Sequence, residues 1–101
     1  ANQMFTLTAI LRAQPGHEDT VKAELIKVGD YVRAHEPDTH SFYVTQCADD
    51  PCVFVTHERF ADRAAMDRHN NGAGSKGFFS AAGHLLDGPA TVVTGPEVFE
   101  A

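Results

Sequence analysis

The chain has 101 residues, 43% of them apolar and 22% charged, which fits one globular domain and leaves little room for two. Its formal net charge of −6 is opposite to what phosphate backbones or an anionic membrane surface attract. No apolar run approaches the roughly 20 residues of a membrane helix. Ala1-Asn2-Gln3-Met4 has neither the basic nor the apolar region of a secretory leader, so a cytoplasmic location is expected.

Met4 to Arg12 alternates. Phe5, Leu7, Ala9 and Leu11 fall on one face and Thr6, Thr8 and Ile10 on the other, which predicts a strand. Pro15-Gly16 ends it. His17 to His35 reads as a helix, because Val21, Leu25, Val28 and Val32 form one apolar stripe and Glu18 and Asp19 suit the positive end of its dipole. Glu36-Pro37-Asp38 stops the helix, since a residue before proline resists helical geometry. Two strands follow, about His40–Cys47 and Cys52–Phe60, rich in aromatic and β-branched residues and joined by a short polar turn. Ala61-Asp62-Arg63 opens a second helix that reaches His69. Asn70 to Gly74 interrupts it, and helical turns resume from Ser75 to about Ala82. After a turn at Asp87-Gly88-Pro89, Ala90 to Val98 predicts a last strand. Its Gly95-Pro96 points to a kink or an edge position.

The order β-α-β-β-α-β predicts an α+β fold of ferredoxin-like form, a four-stranded antiparallel sheet with two helices on one face, in a single domain over residues 1–101. The opposite face carries Ile10, Val53 and Val55, which are expected to be covered by a second copy. Cys47 and Cys52 flank the hairpin turn. They are read as free thiols in strands, with a disulfide as the alternative. Two cysteines without a second pair do not make a structural metal site.

Several pieces in order resemble the antibiotic-biosynthesis-monooxygenase family. They are Pro15-Gly16 before an acidic helix, Glu36-Pro37, Phe54-Val55-Thr56-His57-Glu58-Arg59-Phe60, Ala64-Ala65, His69, and Gly88-Pro89 before the last strand. The resemblance spans nearly the whole chain. It implies a dimeric α+β barrel with a pocket in each subunit between sheet and helices. Members include cofactor-independent oxygenases of quinols and polyketide aromatics, haem-degrading enzymes, and isomerases of small phosphorylated metabolites. Phe79 stands near the place of the iron-ligating histidine of haem-degrading members, and the chain has no Trp. No haem, metal or other cofactor is therefore expected.

His69 occupies the family's histidine position and is the first candidate for catalysis, as a neutral base for an acidic hydroxyl. Glu58, on a largely apolar strand, needs a partner. It either orients His69, holds a substrate hydroxyl, or pairs with Arg59, Arg63 or Arg68. Phe54, Thr56, Glu58 and Phe60 share a face by alternation, and the resemblance turns that face toward the pocket. Phe42, Met66, Phe78 and Phe79 are expected to add apolar wall. His17, His35, His40, His57 and His84 are read as surface or dimer-side residues. Three functions remain open: oxidation of a small quinol-like or polyketide-like aromatic by dioxygen without a cofactor, isomerisation of a small hydroxy-ketone, and binding without catalysis. A phosphorylated substrate for the second would need Lys76, Arg63 or Arg68 at the pocket.

Overall fold

The structure is a computed structural model that describes residues 3–101. Ala1 and Asn2, the start of the lead-in to the first strand, lie outside the described residues. The elements in order are β1 (Phe5–Arg12), α1 (Glu18–His35), β2 (Thr39–Gln46), β3 (Val53–Phe60), α2 (Arg63–Asn70), α3 (Ala73–Ala82), a 3₁₀ turn at Gly83–Leu85, and β4 (Thr91–Pro96). The four strands form one antiparallel sheet in the order β2-β3-β1-β4, so the expected ferredoxin-like arrangement is the observed one. Pro96 sits on an edge strand, where a missing N–H breaks no central ladder.

The register explains which side chains go inside. β1 and β3 pair Phe5 with Phe60, Leu7 with Glu58, Ala9 with Thr56 and Leu11 with Phe54, so the two alternating rows share one face. Against that face α1 lays its stripe of Val21, Leu25, Val28 and Val32, all buried. Burying each such side chain contributes about 1.5–3 kcal/mol. Phe54 and Phe60 are fully buried, and Ala65, Met66, Phe78 and Ala82 complete the same cluster from α2 and α3.

The second helix is two helices. Asp62 caps α2 by accepting the Ala65 N–H at 2.8 Å. The chain then turns at Asn71-Gly72, where a Cβ on Gly72 would lie 2.9 Å from the Arg68 carbonyl oxygen. At the second residue of α3, a Cβ on Gly74 would meet the Tyr31 ring at 2.8 Å, so glycine lets α3 settle closely on α1. The break redirects the chain just after His69.

The other sheet face carries Ile10 at 46%, Tyr43 at 66% and Val93 at 68% exposure, with His57 also exposed. Val53 and Val55 are half-buried. At one end of this face Arg59 makes a two-pronged ion pair with Glu97, both contacts at 2.7 Å, and reaches Glu100 at 3.3 Å. Cys47 and Cys52 are free thiols just outside β2 and β3. Burial, and then the carboxylates of Glu18 and Asp50, push the Cys52 thiol pKa up. No helix among the described residues is long and apolar enough to cross a membrane.

Candidate functional site

A chamber of about 240 Å³ lies between the sheet and the helices. The inward row Leu7, Ala9 and Leu11 lines it from β1. Leu25 and Val28 of α1 and Phe78 and Phe79 of α3 add apolar wall. Phe79 and Val92, 57% and 52% exposed, stand where it meets solvent. Its polar groups are Thr56, Glu58, His69, Asn70 and Ser75. A greasy chamber with a few convergent polar groups is the ordinary form of a small-molecule site.

His69 is delivered by the last turn of α2 and is 4% exposed. Its ring meets a carboxylate on each side. Nδ1 lies 2.7 Å from Glu36 Oε1, and Nε2 lies 3.0 Å from Glu58 Oε1. The Phe60 ring centroid is 5.3 Å from the imidazole and that of Phe42 5.8 Å, so aromatic edges and faces fix its plane. Both carboxylates are braced by threonines. Thr56 Oγ1 donates to Glu58 Oε2 at 2.7 Å, and Thr39 Oγ1 donates to Glu36 Oε1 at 2.9 Å.

Burial alone would lower the His69 pKa. The hydrogen bonds and charges of Glu58 and then Glu36 outweigh it, so the pKa is raised above its ordinary value. Glu58 Oε1 is fully buried, and its approach to Nε2 is close without being aligned as a hydrogen bond, so this oxygen has no well-directed donor. A buried carboxylate oxygen in that condition is costly. Because the two carboxylates address opposite edges of the ring, they do not converge on a point, and no metal-holding group of three or more His, Cys, Asp or Glu occurs among the described residues.

The expected site residues divide. His69, Glu58, Thr56, Phe42, Phe78 and Phe79 all border the chamber. Phe54, Phe60 and Met66 do not, which corrects their reading as pocket wall. They point the right way but are sealed into the core behind it, at 0%, 0% and 5% exposure, and Phe60 instead packs against the back of His69. Glu58 pairs with none of the three arginines named as alternatives. Arg59 turns to Glu97, Arg68 holds Asp38 at 3.0 Å, and Arg63 lies over the Phe5 ring. Among the described residues neither Lys nor Arg lines the chamber, so Lys76 supplies no phosphate handle. The other five histidines are exposed.

Sequence reasoning read Glu36 as a helix stop and as one piece of the family resemblance, and missed it as a site residue. Pro37 was a physical signal: it forces Glu36 out of the helix, and a carboxylate released there is free to turn toward α2. Asn70 and Ser75 were read as part of an interruption and a helix start, and they lie beside the chamber because the α2–α3 break brings them there.

Comparison with solved structures finds the same fold widely. A Caulobacter crescentus protein provisionally named an antibiotic biosynthesis monooxygenase matches with a TM-score of 0.89 at 20% identity, covering 97% of this chain and 92% of that one. A Pseudomonas aeruginosa protein matches with a TM-score of 0.86 at 24% identity, covering 97% of both chains. A Mycobacterium tuberculosis protein matches with a TM-score of 0.87 at 23% identity, covering 97% of this chain and 98% of that one. At these identities the likeness concerns the fold. No curated protein matches the sequence significantly. The family model for antibiotic biosynthesis monooxygenase matches residues 4–81, and the chain belongs to that family.

Proposed function

We propose that this protein is a cofactor-independent monooxygenase that oxidises a small, uncharged, hydroxylated aromatic with dioxygen, and that it works as a homodimer. The observation that carries the reading is Glu58 Oε1, a buried carboxylate oxygen without a directed donor at the edge of an apolar chamber. A guest hydroxyl would supply the missing donor. The chamber's mostly apolar lining suits one or two fused rings, and its lack of Lys and Arg disfavours phosphorylated guests.

In this reading the Glu58–His69 pair takes the hydroxyl proton. The resulting electron-rich anion passes one electron to dioxygen, and the two radicals join in a new C–O bond. Returning the proton to the distal peroxide oxygen lets water leave with the ring hydrogen, so one oxygen atom ends in the product and the other in water. Positioning and a fixed charge environment are what the protein provides. The dimer is proposed from the sheet face bearing Ile10, Tyr43 and Val93.

The test is oxygen uptake by chelator-treated protein given 1,4-dihydroxynaphthalene. Uptake with a hydroxynaphthoquinone product supports the proposal. Turnover that persists without oxygen would replace it with isomerisation, and no turnover together with no binding would remove the chamber from function.

A further inference from the structure

We propose that Glu36 is a positioning residue of this site: with Glu58 it clamps the His69 ring as a doubly protonated donor, so that the proton taken from a guest goes to Glu58 and not to the imidazole. The last clause rests on the reading above; the clamp does not.

The geometry supplies the reason. Each ring nitrogen faces a carboxylate oxygen, at 2.7 Å for Nδ1 and 3.0 Å for Nε2. A neutral imidazole would turn a lone pair toward one of those oxygens, and two acceptors at such distances repel. A ring with hydrogen on both nitrogens removes that repulsion: Nδ1 donates to Glu36, and the charged Nε2–H lies beside Glu58 Oε1 without being aimed at it, which leaves that oxygen able to accept from a guest. The threonine hydroxyls donate to the carboxylates, leaving those groups as acceptors toward the ring. Every element packed on His69 agrees. α1 is followed by Glu36, β2 offers the Phe42 ring, β3 offers Glu58 and the Phe60 ring, and α3 offers only the Ser75 hydroxyl at 3.4 Å. On its own helix, Arg68 is engaged with Asp38. Among the described residues no cation faces the ring to oppose its charge.

Glu36 acts from outside the chamber. It does not line it; its carboxylate borders a separate groove between α1 and β2. Changing it therefore leaves every guest contact in place while altering the charge on the far side of the ring. This predicts a separation of effects: kcat depends on Glu36, and KM does not.

The experiment is a pH titration by NMR of protein labelled with ¹⁵N in histidine, which needs no substrate. In the wild type both His69 nitrogens carry hydrogen at neutral pH, and the ring titrates above the ordinary histidine value. In Glu36→Gln its midpoint falls by at least ~1 pH unit, while Glu36→Asp keeps it raised. Under turnover, Glu36→Gln lowers kcat about tenfold with KM unchanged, and Glu36→Asp recovers most of the loss. One unprotonated nitrogen in the wild type at neutral pH overturns the proposal, whether or not the variant folds. So does a Glu36→Gln midpoint equal to the wild-type one. Absence of oxygen uptake would overturn the proposed reaction and leave the ring titration to judge the clamp by itself.

Discussion

His69 Nε2 lies 3.0 Å from Glu58 Oε1, across the seam between the second helix and the third strand, at the polar edge of an otherwise greasy chamber. Neither group reaches far. The pair exists because β3 turns Glu58 inward by alternation and because Asp62 fixes the start of α2 two turns before His69. Stability, charge state and chemistry are therefore tied at this point.

Removing the ring should be costly for the fold. His69→Ala leaves two carboxylates beside a buried void, and breaking a buried ion pair in this way costs about 3–5 kcal/mol. Urea unfolding measures it. A loss below about 1 kcal/mol would show that the ring is not holding the carboxylates.

Stability should fall as pH rises. The folded state raises the His69 pKa above its ordinary value, so folding favours the protonated ring. That contribution is complete below the unfolded value and is lost as pH climbs through the raised one. The melting temperature of the wild type is expected to drop across this window, and that of His69→Gln to be flatter there. Parallel curves for the two proteins would contradict the assignment.

The chamber can be filled from its floor. Ala9→Phe places a ring on the inward face of β1, between Leu7 and Leu11, where the space is open. Binding of 1,4-dihydroxynaphthalene, measured by fluorescence quenching, is expected to weaken at least about tenfold while the melting temperature holds. Unchanged affinity would place the guest elsewhere.

The open sheet face is tested by charge. Ile10→Lys with Val93→Lys puts two cations on the exposed surface without touching the buried rows. Sedimentation should show a dimer for the wild type and a monomer for the double variant, since desolvating unpaired charges opposes association. A wild-type monomer at micromolar concentration would contradict the dimer.

The fold was legible in the sequence because it rests on local periodicity. The stripe Val21, Leu25, Val28 and Val32 and the alternation from Phe54 to Phe60 state helix and strand without reference to anything distant. The glycines around residue 72 announced the break between α2 and α3. Alternation also turned Phe54 and Phe60 inward, but it says nothing of depth, and both ended behind the chamber wall. Glu36 was illegible for a related reason. It meets His69 from 33 positions away, and only the folded path of the chain sets that distance. A base chosen by residue type suggested a neutral imidazole; the second carboxylate favours the protonated ring.

The central claim is that Glu58 receives the guest's proton. Oxygen uptake with 1,4-dihydroxynaphthalene, compared between the wild type and Glu58→Gln, addresses it directly. Gln preserves size and can still accept a hydrogen bond, but it is far too weak a base to take the proton. The account predicts a fall in kcat of at least about 10²-fold with little change in KM; a variant that turns over within threefold of the wild type would contradict it.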